Sequence, residues 1–252
     1  MDQYGQAVEA VALAAKMTLE NGGEAYRAEQ TVERMAQGFG FKRIEVIAFP
    51  TGVTMTLLTE SGACVTRIVR VSHRSIDLKK LDACNAISRM AAAGLINSEE
   101  AYSRLQEEDG KPPYRFMIRL LACALSSGFF AVMLSGGAVE FLVSFLCGLG
   151  IQILLSLLER WKAPGILNGM VLALFTAVVA LTAHRLYAPL AVGPVISGAI
   201  MPILPGLAMT NAIRDTIRGD LVSGGARCAE AVLCALTLGA GIGIVISMFG
   251  GV

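Results

Sequence analysis

The chain predicts an α-helical multi-pass membrane protein of five transmembrane helices, preceded by a cytosolic α+β domain. Three observations carry that expectation. Charge is partitioned, because residues 1–115 hold 14 of the 21 Lys and Arg and 15 of the 20 Asp and Glu. Beyond Arg115 the only acids are Glu140, Glu159, Asp215, Asp220 and Glu230, scattered through long apolar runs. Mean hydropathy is +0.61, with 54% hydrophobic and 16% charged residues, outside the range of an ordinary soluble domain. The first part is composed for water and the second for lipid. The expected boundaries are a domain over 1–110, a linker over 111–115 and a membrane domain over 116–252.

Within the domain, Val8, Val11, Ala12, Ala15 and Leu19 recur at helical spacing, and Asn21-Gly22-Gly23 supplies the stop. A second helix is expected from Glu24 to Gln37, with Ala28, Val32 and Met35 on one face. Ile44, Val46 and Ala48 alternate as a strand does, and so do Val53, Met55 and Leu57. Pro50-Thr51-Gly52 turns between the two, and Glu60-Ser61-Gly62 leads into a third strand over 63–71. Leu78, Leu81, Ile87 and Met90 mark another helix, and Asn97-Ser98-Glu99-Glu100 reads as the capped start of a last one. Gly110-Lys111-Pro112-Pro113 then breaks the chain.

Crossing a bilayer as helix takes about 20 apolar residues. The expected spans are 116–135, 139–158, 165–183, 188–208 and 229–249. Arg119 and Glu140 fall near span ends, where a charge costing roughly 3 kcal/mol at mid-membrane can reach water. Lys and Arg placement sets orientation. One side receives the charged N-terminal domain, Arg160, Lys162, Arg214, Arg218 and Arg227, while the other receives only Arg185. The positive-inside rule therefore puts the N-terminus in the cytoplasm and the C-terminus outside. Gly165-x-x-x-Gly169 and Gly239-x-x-x-Gly243 permit close helix approach, read first as packing within the bundle and second as docking of another membrane subunit.

The densest polar run of the second half follows Pro194, Pro202 and Pro205-Gly206 and extends from Met209 to Arg227. Proline inside a spanning helix frees carbonyls that must find partners or line a wet cavity. Ile213 and Ile217 stripe one side of a short amphipathic helix, with Asn211, Arg214, Asp215 and Arg218 on others. Gly219 closes it, and Asp220 or Ser223 caps the next helix. As a connector this run only sets topology. As a gate or substrate vestibule it supplies hydrogen bonds and charge beside broken helix ends. Ser126, Ser127, Gln152 and Asn168 are candidates for a polar path, or for bonds to neighbouring helices.

Other chemistries find little support. The chain carries no G-x-x-x-x-G-K, G-x-S-x-G or H-E-x-x-H. His73 and His184 are expected on opposite sides of the membrane. Glu20, Glu24 and Glu29 near Arg27 offer a hydrolase no nucleophile–base pair, and such spacing usually decorates a solvated helix face. An enzyme is therefore not expected, nor a cofactor or metal. The net charge of +1 gives no basic face for nucleic acid. The opening residues show no basic or apolar segment of a cleaved signal. The six cysteines, without a C-x-x-C pair, read as small buried hydrophobes in a reducing compartment.

Gly22-Gly23-Glu24-Ala25-Tyr26-Arg27-Ala28-Glu29, Phe49-Pro50-Thr51-Gly52 and the block of Pro205-Gly206, Asn211, Arg214-Asp215, Gly219-Asp220, Ser223-Gly224 and Arg227 together resemble the threonine/serine exporter family. The resemblance runs in order along nearly the whole chain. Fused members carry about twice as many membrane helices, so the chain is closest in layout to the split, YjjP-like form. The resemblance implies export of threonine and serine, or of a dicarboxylate such as succinate, across the bacterial inner membrane. It also implies a smaller multi-pass partner of the same family, with a homo-oligomer as the alternative. Gly23, Glu24, Arg27 and Glu29 become candidates in the domain, and Pro205, Gly206, Asn211, Arg214, Asp215, Gly219, Asp220, Ser223 and Arg227 become substrate or gate candidates. Arg214 would pair with a carboxylate, Asp215 and Asp220 would hold it or carry protons, and Asn211 would orient the substrate. A non-transporting regulatory or assembly subunit, with a metabolite-binding domain, is the competing reading.

Overall fold

The computed structural model describes residues 3–161 and 165–249. Lys162, one of the orienting charges, lies outside them. In chain order the elements are α1 (Gln3–Glu20), α2 (Ala25–Gly38), β1 (Arg43–Phe49), β2 (Gly52–Leu58), β3 (Cys64–Arg70), α3 (Leu78–Ala92), α4 (Ser98–Gly110), α5 (Phe116–Met133), α6 (Ala138–Arg160), α7 (Gly165–Leu186), α8 (Val192–Ile200), a single 3-10 turn (Met201–Ile203), α9 (Gly206–Ile217) and α10 (Leu221–Met248). They fall into two compact units. One runs to Pro113 and resumes over Leu207–Ala229; the other holds Tyr114–Gly206 and the chain from Glu230.

In the first unit the three strands form one antiparallel sheet in the order β1-β2-β3, with Val46 opposite Met55 and Met55 opposite Arg67. Val53, Met55 and Leu57 are buried on one face of β2, as their alternation requires. Behind that face lies α1, whose Ala10, Val11, Ala14, Ala15 and Met17 are fully buried. Small side chains on α1 let α2, α3 and α4 all pack against it. Each large apolar side chain buried there contributes about 1.5–3 kcal/mol. Asp77 caps α3 by accepting from the Lys79 and Lys80 amides, and Asn97 caps α4 by accepting from Glu100 N at 2.8 Å. Every element expected in this domain forms, and Glu24 proves to be the N-cap of α2 rather than its first helical residue.

In the second unit α5 packs on α6 and α8, and α6 on α7. Glycines set the close approaches. A Cβ at Gly148 would lie 2.7 Å from the Ala124 Cα, one at Gly198 2.5 Å from the Ala131 N, and one at Gly241 2.7 Å from the Met170 carbonyl. Gly169 also faces a neighbour, Thr237, but Gly165, Gly239 and Gly243 have nothing within 4 Å. Glu140 does not reach for water as expected. One carboxylate oxygen takes the Gly137 N–H at 2.8 Å and the other the Ala191 N–H at 2.9 Å, closing the starts of α6 and α8.

Among the described residues four helices are long and apolar enough to cross a bilayer: Phe116–Met133, Ala138–Arg160, Leu167–Leu186 and Leu221–Met248. A fifth span exists if α8 and its 3-10 turn together with α9 are one broken span. The segment expected over 188–208 is thus not a single helix. Pro202 and Pro205 lack the N–H groups that would continue it; α8 ends at Ile200 and its 3-10 turn at Ile203, before the extended Leu204. By contrast, α10 starts at Leu221, directly after the expected cap at Asp220, and runs on through the stretch expected as the 229–249 span. All six cysteines are free; Cys84, Cys123 and Cys147 are buried, while Cys64 and Cys228 are exposed, against the expectation that they serve as buried hydrophobes. Burial pushes the Cys84 thiol up to about 11, so it is inert at neutral pH.

Candidate functional site

The site grows from the break between α1 and α2. The Asn21 amide turns back to the Met17 carbonyl at 2.7 Å, and Gly22 follows with φ +93°, a left-handed conformation that glycine adopts without cost. Gly23 donates to the Thr18 carbonyl at 2.8 Å, and a Cβ there would sit 2.6 Å from that same oxygen. Two glycines therefore permit a tight reversal that leaves the carbonyls of Gly22 and Gly23 free of the helices. Both are taken up by side chains far along the chain. The Asn211 amide donates to the Gly22 carbonyl at 2.9 Å, and the Arg227 guanidinium donates to the Gly23 carbonyl at 2.8 Å.

Glu24, 4% exposed, stands next in the loop. Arg214 donates to its Oε1 at 2.7 Å, and Arg27 Nε lies 3.3 Å from its Oε2. Burial pushes this carboxyl up, but hydrogen bonds from Arg214 and its own backbone, with the charges of Arg27 and Arg214, outweigh that and hold it below the usual range. Asp215, fully buried, lies 3.3 Å from Arg227 Nε, so Arg227 joins the Gly23 carbonyl to a second acid. Two carboxylates thus meet three guanidiniums. Arg218 adds a contact of another kind, stacking over the Tyr26 ring at 4.2 Å.

Beside this cluster the outer edge of β1 is closed by side chains. The Glu29 carboxylate accepts the Ala48 N–H at 2.8 Å, and Ser223 Oγ donates to the Ala48 carbonyl at 3.2 Å. Ala48 has no reactive atom, yet it ties α2 to the start of α10. Burial raises the Glu29 carboxyl above its ordinary range against the pull of that amide, and the charges of Asp220, Glu33 and Asp215 raise it further.

The segment after Pro205 supplies its side chains through α9 and α10. Gly219, at φ +93°, ends α9, and the Asp220 amide turns back to the Asp215 carbonyl at 2.9 Å. The two helices then cross closely: a Cβ at Gly224 would lie 2.2 Å from Thr216 Oγ1 and 2.9 Å from the Ala212 carbonyl. On α9 amphipathicity is inverted relative to a soluble helix. Asn211, Ala212 and Asp215 are buried, whereas Ile213 and Ile217 are 54% and 79% exposed. Its polar side is its packed side.

Of the candidates named from the sequence, Gly23, Glu24, Arg27, Asn211, Arg214, Asp215 and Arg227 meet in this cluster, with Glu29 and Ser223 joined through Ala48. Asp220 and Gly219 shape the turn between α9 and α10. Pro205 and Gly206 belong to the second unit. Sequence reasoning did not single out Ala48 or assign Tyr26 a role. The run of Tyr26, Arg27 and Glu29 beside two glycines was the available signal for Tyr26, and nothing marked Ala48. Among the described residues no group of His, Cys, Asp and Glu is placed to hold a metal. Paired charges and carbonyl acceptors make this a structural interlock between the α1–α2 turn and the helices α9 and α10.

Among the described residues, four helices of spanning length and apolar composition mark a multi-pass membrane protein, and the family it matches makes it one of a transporter family. The model of the threonine/serine exporter family matches residues 9–249, and the chain belongs to that family. It is 26% identical over 204 residues to the "Threonine/serine exporter" of Corynebacterium glutamicum, covering 77% of this chain and 42% of that protein. It is 25% identical over 233 residues to "Probable succinate transporter subunit YjjP" of Klebsiella aerogenes, covering 91% and 88%. A "Probable threonine/serine exporter" of Mycobacterium tuberculosis is 25% identical over 241 residues, covering 94% and 44%. The chain thus spans less than half the length of the two exporters and most of YjjP. No solved structure matches it.

Proposed function

We propose that the chain is one component of a two-part secondary exporter. It moves threonine or serine, or a dicarboxylate such as succinate, out of the cytoplasm together with a smaller multi-pass membrane protein of the same family. The observation that carries this reading is the interlock of Gly22, Gly23 and Glu24 with Asn211, Arg214 and Arg227 in a chain of an exporter family. Buried ion pairs add little net stability, but they fix one arrangement and are lost abruptly when it changes, which suits a gate. In this reading α8, its turn and α9 together make the fourth of five crossings, the N-terminus faces the cytoplasm of a bacterial cell, and the C-terminus faces outward. The exposed Ile213 and Ile217 then face the bilayer interface or the partner. An odd number of crossings would make a following five-helix partner enter inverted, the arrangement from which many transporters build alternating access. The word "subunit" in the name of YjjP accords with a divided machine.

The test is efflux from cells loaded with a threonine-containing peptide or with succinate, comparing this chain, the small partner and the two together. Export only with both supports the two-part reading; export by this chain alone overturns it in favour of a homo-oligomer. One observation favours the competing reading of a regulatory subunit. The first unit holds a cleft of ≈ 590 Å³ whose walls include Lys16, Arg70 and Asp109, a charge pattern able to receive a zwitterion. Threonine binding to the full chain that is lost on Arg70→Gln, with flux insensitive to changes at 211–227, would favour it.

A further inference from the structure

The second unit holds a different kind of charge. Arg119 sits in the first turn of α5, and its Nε is buried without a hydrogen-bond partner. None of the described acids pairs with it. An arginine placed in a membrane helix and only to anchor it would turn its guanidinium to water or headgroups. Here Nε is buried, and the half-buried side chain borders a cleft of ≈ 460 Å³ between α5, α6 and the 3-10 turn at Pro202. That volume lies in the usual range for small-molecule sites.

The polar groups around the cleft are also unspent. Ser126, two turns further along the same face of α5, and Gln152 on α6 line it, and neither side chain hydrogen-bonds another described residue. Their neighbours behave otherwise. Ser144 donates to the Ser127 carbonyl at 2.8 Å, Ser127 to the Ala199 carbonyl at 3.4 Å, and Thr176 to the Leu172 carbonyl at 2.8 Å. Those three side chains are thus satisfied by the bundle's own backbone, while the three that face the cleft are not. An ionisable group in a membrane segment marks a pathway or binding position more often than a packing one.

We propose that this cleft is a carboxylate-binding subsite: Arg119 receives the carboxylate of a small organic acid or amino acid, and Gln152 and Ser126 hydrogen-bond its remaining polar groups. The proposal rests on the exporter reading for its biological use, though not for the binding itself. The planar fork of Arg119 favours a carboxylate over a spherical anion. Pro202, which interrupts the helical hydrogen bonding after α8, keeps the third wall free of a continuous helix and lets the cleft form.

Ala122 lines the same cleft and supplies the probe. In a chain whose native cysteines are replaced by serine or alanine, Ala122→Cys is treated with an anionic thiol reagent, with and without succinate or threonine. Protection by either compound, with an apparent affinity weakened about tenfold or more by Arg119→Gln and less by Arg119→Lys, is the expected result. Gln152→Ala should weaken it as well. The assay is run in phospholipid-free detergent and again with added phosphatidylglycerol. Protection by the anionic lipid alone would make Arg119 a headgroup anchor and overturn the subsite. Absence of protection by every carboxylate, or protection unchanged in Arg119→Gln, would overturn it too. Protection without efflux from cells would leave the subsite standing and remove the exporter reading instead.

Discussion

Glu24 is the residue on which the interlock turns. It is buried, ionised and shared between Arg27 and Arg214. Because its folded value lies below that of an unfolded glutamate, its pairing contributes stability that is full above the unfolded value of about 4.3 and disappears as pH falls through the lower folded one. The melting temperature of solubilised wild type should therefore exceed that of Glu24→Gln at neutral pH, with the gap closing only in acid below about pH 4. A gap that closes near pH 6 would show that another group governs the cluster. The two ion pairs should differ in worth. Arg214 is 56% exposed in its side chain, so screening limits its pairing to about 1 kcal/mol. Arg227 and Asp215 are 8% and 0% exposed, and Arg227→Leu, which strands a buried carboxylate, should cost about 3–5 kcal/mol. Chemical denaturation of the two variants compares them directly. Glu29 separates charge from hydrogen bonding: Glu29→Gln keeps an acceptor for Ala48 and relieves a buried charge, so stability is unchanged or rises. Glu29→Ala leaves that amide bare and should cost about 1–3 kcal/mol.

Among elements, the crossing of α9 and α10 offers a matched pair of substitutions. A Cβ at Gly224 meets Thr216 and the Ala212 carbonyl, whereas one at Gly225 meets nothing within 4 Å. Gly224→Ala should destabilise the protein by about 1–3 kcal/mol and slow any flux through it, while Gly225→Ala should be neutral or slightly stabilising by helix propensity. Thermal unfolding and efflux check both. The elements also show where sequence reasoning succeeds. Alternation of Val53, Met55 and Leu57, the helical spacing of α1, and the cap at Asn97 are local patterns, and each forms as expected. The segment expected over 188–208 is broken rather than a single helix, because Pro202 and Pro205 end the helical hydrogen bonding within an otherwise apolar run. Glu140 was misjudged for a related reason: its partner amides, at Gly137 and Ala191, depend on tertiary contact between α6 and the start of α8.

At the scale of the molecule, the site was half legible. Both of its stretches, 22–29 and 205–227, stood out by composition and by resemblance to the exporter family. Their meeting did not, since Glu24 and Arg214 are 190 residues apart and no periodicity links them. Spacing alone reads Glu24 and Arg27 as a solvated helix face, and only the fold buries Glu24 against Arg214. What the fold adds is that 22–29 and 207–227 belong to one compact unit, so the polar run from Leu207 packs as part of the α+β layer rather than as a plain connector. The direct test of that claim is a double-mutant cycle on efflux rate, with the small partner co-expressed and membrane insertion matched, using Glu24→Gln, Arg214→Ala and the two combined. The account predicts that each single change slows export and that the double variant is no slower than the worse single one. Singles that export at the wild-type rate, or losses that multiply, would contradict it.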